Sequence, residues 1–463
     1  MSGKTLAERI AAWGLDLKFK DISNDAVHEA KRRVIDSFAC LLGGHNSPPA
    51  HAARTVAPQS MVTERGGGAT IIGVDHPTTP DFAAFANGIM VRYLDYNDTY
   101  LSKEPAHPSD NIPAAIAASE VIGRSGEDLI TAIVAAYELQ CALCDAASLR
   151  ARGWDHVTYG AFSATIAASM LLGLSKDETA HALNIAGTAS PALRQTRAGE
   201  LSMWKGCAFA NAARNAVFAA LLARGGITGP APVFEGEFGF FNLVSGPFEL
   251  KDLASKKDDR YRITKTYIKY YPAEYHSQSA IGAAIELSRE IEDASDIESV
   301  TVKTFRAGYE IIGSGKERWR PKTRETADHS LPFCVAAALL DGNINLSTFT
   351  DRLNDEKLLG LVDKVKVEVD GDLDRLYPEA IPNRIEVRLK SGGYLTKEII
   401  YPKGHPRNPL TDVEVEEKFR NLGQWYFTNK ETDSVLEFLW RLEEMKDTRE
   451  MLRLFAKGRR VAR

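Results

Sequence analysis

Between residues 81 and 224 the sequence is a succession of alanine-rich apolar segments, and this region limits most strongly how the chain can fold. The segments have the length of helices, and none shows the polar–apolar alternation of a half-buried strand. Ser175 and Glu178 form a capping box, and Gly225 follows the last segment. Since alanine lets neighbouring helices approach closely, we predict a large all-α domain. The predicted helices cover residues 27–42, 81–93, 112–122, 127–147, 161–174, 176–186 and 205–224.

After residue 260 the pattern changes to short segments typical of strands. Residues 262–271 and 297–305 are rich in β-branched and aromatic side chains, whereas residues 365–369 and 385–389 alternate in polarity. A Ser-Gly-Gly turn then leads into a further strand at 394–401. Two helical stretches, 277–291 and 329–340, separate the strands. This pattern predicts a smaller α+β domain with an antiparallel sheet.

The sequence becomes helical again after Pro409, where Thr411 and Glu414 form another capping box. We expect these last helices to pack on the first domain. The fold is therefore predicted to be mainly α, with a discontinuous helical domain at 1–260 and 405–463 and an α+β domain at 261–404. The glycine-rich segment 65–68 is interpreted as a surface turn, and the basic segment 457–463 as a solvated helix end.

Composition excludes some classes of function. The net charge of the 463 residues is -5, so there is no basic surplus to neutralise a nucleic acid. Uninterrupted apolar runs stay below the ~18 residues that a membrane span needs, and the N-terminus lacks a signal pattern. The five cysteines are scattered and odd in number, which disfavours disulfides. We predict a cytoplasmic protein without nucleic-acid or membrane partners.

A polar segment interrupts the apolar helices. Residues 95–99 and 107–111 together contain three carboxylates and His107, between two core-forming stretches. Polar groups are costly in a core unless they bond each other or a ligand. Helix capping is the alternative explanation, because Asp, Ser and Asn are common cap and turn residues.

Three further segments carry chemically useful side chains. His156 follows Asp155 at the start of an apolar helix, Lys205 opens another, and a polar cluster at 269–277 lies at the domain junction. Histidine suits removal of a proton beside a carboxylate, while lysines stabilise the developing negative charge.

Two alternative sites are disfavoured. Three histidines and Asp95 could bind zinc, but no zinc-ligand spacing supports a metal site, so none is predicted. The segment 313–316 (GSGK) lacks the spacing of a phosphate-binding loop.

Several motifs in the same order together make the chain resemble the MmgE/PrpD family over nearly its whole length. They are residues 94–99 (LDYNDT), 107–111 (HPSDN), 155–156 (DH), 203–206 (MWKG), 271–278 (YPAEYHSQ) and 328–332 (DHSLP). The resemblance implies a helical domain plus an α+β domain, a homodimer, no cofactor, and an active site between the domains. Carried over by motif, the catalytic residues would be Asp95, His107, His156, Lys205 and His276, and the substrate-binding residues Thr99 and Lys269. The motif leaves open whether Glu274 or His276 faces the substrate.

The family resemblance implies a lyase acting on a small anionic carboxylate. Our leading hypothesis is dehydration of a hydroxylated tricarboxylate, most simply 2-methylcitrate to 2-methyl-cis-aconitate. Decarboxylation or epimerisation of a related polycarboxylate is the alternative within enzymes. Phe333 stands where decarboxylase members carry a tyrosine, which favours dehydration. An inactive carboxylate-binding scaffold is the alternative of another class.

Overall fold

The computed structural model describes residues 3–60, 68–251 and 253–457. Most of the glycine-rich segment 65–68 and of the basic segment 457–463 lies outside these residues. The α-helices are α1 (Leu6–Asp16), α2 (Asn24–Gly44), α3 (Pro48–Val56), α4 (Pro80–Arg92), α5 (Ile112–Ile122), α6 (Gly126–Ala146), α7 (Gly160–Leu172), α8 (Lys176–Ala189), α9 (Trp204–Arg224), α10 (Gln278–Ser288), α11 (Arg306–Ile312), α12 (Arg324–Ala327), α13 (Leu331–Asp341), α14 (Glu356–Val362), α15 (Gly371–Asp374), α16 (Asp412–Gly423), α17 (Asn429–Trp440) and α18 (Arg449–Lys457). The strands are β1 (Ile297–Thr304), β2 (Val365–Val369), β3 (Asn383–Leu389) and β4 (Tyr394–Ile399).

Small residues bring the helices of the first part close together. Helix α4 packs on α9, and α9 packs on α7, within one apolar core. A Cβ atom added at Gly88 of α4 would lie 3.0 Å from the Cβ atom of Ala210 on α9. This close packing fixes the C-terminal end of α4 beside the N-terminal end of α9, and both ends face the candidate site. The prediction of a mainly α fold is confirmed.

The smaller part has a four-stranded sheet in the order β2-β1-β3-β4, with α10 and α13 packed against it over a separate apolar core. Pairs β1–β3 and β3–β4 are antiparallel, as predicted. Pair β1–β2 is parallel, so the sheet is mixed and the expectation of a purely antiparallel sheet is wrong. The chain between β1 and β2 runs through α11 to α14, and a connection of this length permits parallel pairing.

The segment 262–271 was predicted as a strand, and this prediction is wrong. It begins with the 3₁₀ helix Arg262–Lys265, and Tyr267 then forms an isolated antiparallel bridge with Thr99. The side chain of Arg262 pairs with Glu138 and Asp145 on α6, which holds the segment against the helical part. This bridge nevertheless places Lys269 next to the polar segment.

The end of the chain returns to the helical part. Helix α16 packs on α2, where the Lys418 Nζ atom lies 2.6 Å from the Asp36 Oδ1 atom. Near α18 the Gly126 amide at the start of α6 donates to the Met445 carbonyl at 2.9 Å. The division of the chain at residues 260 and 404 stays a prediction.

Helices α6 and α9 are long and apolar enough to cross a membrane by composition alone. However, 89% of the apolar window of α6 and 67% of that of α9 is buried inside the fold. Packing against neighbouring helices therefore accounts for their apolar character.

Replacement of Gly126 by alanine should test the contact between α6 and the C-terminal segment. Its Cβ atom would lie 1.6 Å from the Leu442 carbonyl oxygen, so backbone must move. We expect Gly126→Ala to lower the free energy of unfolding by about 1–3 kcal/mol in urea titrations. The matched control is Gly360→Ala on α14, where the new Cβ atom meets nothing within 4 Å and a gain of helix stability is expected. Equal stability of the two variants would contradict the packing.

Candidate active site

A cavity of about 570 Å³ lies between the helical part and the α+β part. The wall includes five of the seven predicted site residues: Asp95, Thr99, His107, His156 and His276. The other two, Lys205 and Lys269, lie directly behind Asp95. Residues that are up to 181 positions apart in sequence, from Asp95 to His276, are thus brought to one cavity.

Asp95 is the electrostatic centre of this site. It follows α4, has a left-handed φ of 51°, and is 1% exposed. Its carboxylate pairs with Arg92, with Lys269 at 3.2 Å and with Lys205 at 3.5 Å. Burial alone would raise the pKa of Asp95, but these cations hold the pKa well below its usual value. Asp95 is therefore a carboxylate that keeps several cations in place at the cavity wall.

The two lysines differ in how completely they are bonded. The Lys269 Nζ atom donates to the Asp95 carbonyl at 2.7 Å, whereas the Lys205 Nζ atom lacks a hydrogen-bond partner in the described part of the chain. Burial lowers the pKa of Lys205 to about 8 and also lowers that of Lys269. Their predicted role in binding a substrate carboxylate remains a proposal, because both lie behind Asp95.

His107 has a defined orientation. Its Nδ1 atom lies 2.7 Å from the Asp98 carbonyl and 3.0 Å from the Thr99 hydroxyl. A carbonyl oxygen can only accept a hydrogen bond, so Nδ1 carries the proton and Nε2 has the free lone pair. Burial, with Arg92 and Lys269 nearby, holds the pKa of His107 well below its usual value. His107 is therefore neutral near pH 7 and suited to accept a proton.

Each of the other three histidines at the cavity has its Nδ1 atom held by a carboxylate. The pairs are His156 with Asp155 at 2.9 Å, His276 with Glu274 at 2.7 Å, and His329 with Asp328 at 2.5 Å. The Nε2 atoms of His156 and His276 are buried and have no hydrogen-bond partner among the described residues. The carboxylates therefore fix the orientation of these three rings, although burial and the Lys205 ammonium lower the pKa of His329.

Glu274 and His276, between which the sequence motif did not decide, both line the cavity. Glu274 binds both the Nδ1 atom and the backbone amide of His276, each at 2.7 Å. Although burial opposes ionisation, His276 lowers the pKa of Glu274 to about 2. Glu274 therefore orients His276 as a charged carboxylate.

The rings of His107 and His156 meet edge to face with their centroids 5.7 Å apart.

Helix capping explains part of the polar segment. One Asp98 carboxylate oxygen accepts from the Ser109 amide at 2.9 Å, at the start of the 3₁₀ helix Pro108–Asn111. Its other oxygen accepts from the Tyr137 hydroxyl at 2.8 Å. Asp98 therefore shapes the segment, while Asp95 faces the cavity.

Within the described residues, the carboxylates of Asp95 and Asp328 and the His329 ring lie close enough to hold a metal ion. Both carboxylates are already paired, since Asp95 contacts two lysines and Asp328 contacts Arg324 at 3.2 Å. A divalent cation would be repelled by these charges. This donor set does not suit a metal.

Arg324 also joins the two walls of the cavity. Its guanidinium donates to the carbonyls of Tyr93 and Leu94, each at 2.8 Å, immediately before Asp95. The arginine belongs to the α+β part, while the carbonyls end α4. The position of Asp328 relative to Asp95 is thereby fixed.

Sequence reasoning missed several residues of the cavity wall. They are Arg92, Arg150, Arg194, Arg197, Arg318 and His329. His329 lies in the DHSLP motif, which was a usable signal. The arginines carry no such signal, because Arg92 ends an ordinary apolar helix and the others lie in short segments between helices, where single arginines are common. Phe333 is fully buried in the core of the smaller part and does not line the cavity, so its lack of a hydroxyl does not favour dehydration.

Comparison with known proteins identifies the family. The MmgE/PrpD N-terminal domain matches residues 8–253, and the MmgE/PrpD C-terminal domain matches residues 271–444. The chain belongs to the MmgE/PrpD family. The resemblance in the sequence motifs is confirmed.

Similar proteins span most of the chain. A 2-methylcitrate dehydratase of Cupriavidus necator is 29% identical over 440 residues, covering 89% of this chain and 88% of that protein. A 2-methylcitrate dehydratase of Escherichia coli K12 is 28% identical over 466 residues, 93% of each chain. A cis-aconitate decarboxylase-like protein of Aspergillus oryzae is 28% identical over 482 residues, 98% of each chain. The expected enzyme class, a carbon–oxygen lyase, agrees with the names of the dehydratases.

Removal of the Asp95 charge should destabilise the fold, because buried cations would lose their partner. Asn tolerates the left-handed backbone of this position, so Asp95→Asn isolates the effect of the charge. We expect the free energy of unfolding to fall by roughly 3–5 kcal/mol in denaturant titrations. Asp363→Asn is the control, since it breaks an exposed pair with Arg320 and should cost about 0–1 kcal/mol. A loss at Asp95 no larger than that of the control would contradict the electrostatic role.

Proposed function

We propose that this protein is a cofactor-free hydro-lyase that dehydrates a hydroxylated tricarboxylate, most simply 2-methylcitrate to 2-methyl-cis-aconitate. The observation that carries the proposal is a neutral histidine beside three histidine–carboxylate pairs in one cavity between the two parts. The names of the related dehydratases support the substrate class. The similarity to these dehydratases extends over most of the chain, which supports dehydration as the reaction.

His107 is the proposed base. Its Nε2 lone pair accepts the proton from the carbon next to a substrate carboxylate, and the Asp98 carbonyl holds the Nδ1 proton throughout. Loss of that proton spreads negative charge onto the adjacent carboxylate. The cations around Asp95 lower the energy of that charge.

A second histidine supplies the acid. His156 lies next to His107, and its Asp155 partner is itself held by Arg197 at 3.0 Å. Protonated at Nε2, His156 donates to the departing hydroxyl, which leaves as water while the carbon–carbon double bond forms. His276, backed by Glu274, is the alternative donor of the same proton. Lys205 and Lys269 are proposed to maintain the positive potential behind Asp95.

A polycarboxylate decarboxylase is the second candidate. It is favoured by the similarity to the cis-aconitate decarboxylase-like protein, which covers 98% of both chains. Decarboxylation also passes through negative charge beside a carboxylate, so the same cations serve it. Epimerisation would use His107 and a histidine opposite to remove and return one proton. We also propose that the protein is cytoplasmic and forms a homodimer. Light scattering on the purified protein would test the dimer.

A panel of four candidate substrates tests the proposed reaction directly. The protein is incubated with 2-methylcitrate, citrate, cis-aconitate and iminodisuccinate, and products are followed by NMR. We expect an unsaturated product from 2-methylcitrate and little change in the others. Carbon dioxide release from cis-aconitate would favour the decarboxylase instead. Thermal stabilisation by every compound without any product would favour an inactive scaffold.

Replacement of His107 by glutamine should remove the base while keeping a polar side chain of similar size. We expect kcat to fall by about 10²–10⁴-fold with an unchanged circular dichroism spectrum. The control is His51→Gln on α3, where the residue is exposed and does not line the cavity. Activity of the His107 variant equal to that of this control would reject the assignment.

The pH profile should reflect the lowered pKa of His107. A base must be neutral to act, and a lowered pKa keeps the ring neutral to more acidic pH. We therefore expect kcat/KM to stay level down to pH about 6.5 and to fall only below it. Initial-rate assays across the acidic range measure this fall in kcat/KM. An acid limb centred above that value would contradict His107 as the base.

A further inference from the structure

Arg318 differs from the other buried arginines. Within the described residues five arginines are buried. Four of them are bonded to protein groups: Arg32 and Arg33 pair with Glu29, Arg92 with Asp95, and Arg324 with Asp328. The guanidinium of Arg318 has no hydrogen bond or ion pair to any described residue, although it is only 8% exposed.

An unpaired buried guanidinium is energetically unfavourable. Its Nε and Nη1 atoms are out of contact with water and lack acceptors. Burial accordingly lowers the pKa of Arg318, which the surrounding carboxylates only partly offset. A protein keeps such a group where a ligand supplies the missing acceptor.

The position of Arg318 indicates what that acceptor is. The residue ends the 3₁₀ helix Lys316–Arg318, after the turn in which Gly315 has a φ of 90°, and it lines the cavity. The Ser330 hydroxyl donates to the Arg318 carbonyl, which fixes this segment beside His329. The GSGK segment therefore presents Arg318 to the cavity from the α+β part, while His107 and His156 face it from the helical part.

We propose that Arg318 binds a carboxylate of the substrate that lies away from the reacting carbon, and that this contact selects tricarboxylates over dicarboxylates. The guanidinium offers a planar fork of donors that matches a carboxylate in two hydrogen bonds. A ligand with three carboxylates places one near the cations at Asp95 and leaves another for Arg318. This inference rests on the proposed substrate class, but binding tests it independently of turnover.

The experiment measures binding by calorimetry with two non-reacting probes, propane-1,2,3-tricarboxylate and pentanedioate. Wild type, Arg318→Gln, Arg318→Lys and the control Arg320→Gln are compared. Arg320 lies two positions away and forms an exposed pair with Asp363, outside the cavity. We expect Arg318→Gln to weaken the tricarboxylate about 10- to 100-fold and to change pentanedioate little. Arg318→Lys should recover part of the loss, and Arg320→Gln should match wild type.

Unliganded stability separates ligand binding from a structural role. Because the guanidinium has no protein partner, we expect Arg318→Gln to melt at the wild-type temperature or above. A lower melting temperature together with equal weakening of both probes would overturn the proposal, as would unchanged tricarboxylate binding. If no compound in the substrate panel is converted but the selective loss of tricarboxylate binding is observed, the dehydratase function fails and the role of Arg318 stands.

Discussion

The buried carboxylate of Asp95 is the interaction on which the rest of the site depends. The Asp95 carboxylate lies among three cations, Arg92, Lys205 and Lys269, although the whole chain carries a net charge of -5. Without that carboxylate the ammonium groups would repel each other in a region with little water. With it, Arg92 is held at the cavity wall and the two lysines are held close behind Asp95. The overall charge of the protein thus says little about the potential at its site.

The four cavity histidines show a common arrangement with a chemical difference. Every ring is held at Nδ1 by an oxygen, which directs Nε2 away from that support. In His107 the oxygen is a neutral carbonyl, whereas in His156, His276 and His329 it belongs to a carboxylate. A carboxylate behind a ring favours its protonated form, but burial and the Lys205 ammonium still lower the pKa of His329. This difference in the groups behind the rings underlies the proposed assignment of His107 as the base and His156 as the acid.

The sequence was most informative where structure is local. Capping boxes at Ser175 and Thr411 and the alanine-rich periodicity placed the helices correctly. It was least informative where partners are distant. Residues 262–271 have β-branched side chains but are held by ion pairs to α6, and parallel pairing of β2 with β1 depends on a long connection. Neither the ion pairs to α6 nor the long connection can be recognised from a short stretch of sequence.

The same limit applies to the site. The family motifs pointed to seven residues, of which five line the cavity. The sequence pointed to Lys205 and Lys269, but it did not show that they lie behind Asp95. Arg318 could not be found at all, since what marks it is the absence of a partner in three dimensions.

The contact of Arg324 with the carbonyls of Tyr93 and Leu94 has a consequence for access to the cavity. A hinge-like opening of the two parts would separate the Arg324 guanidinium from the carbonyl oxygens at the negative end of α4, while its pair with Asp328 would stay intact. Arg324 therefore resists separation of the two parts beside Asp95.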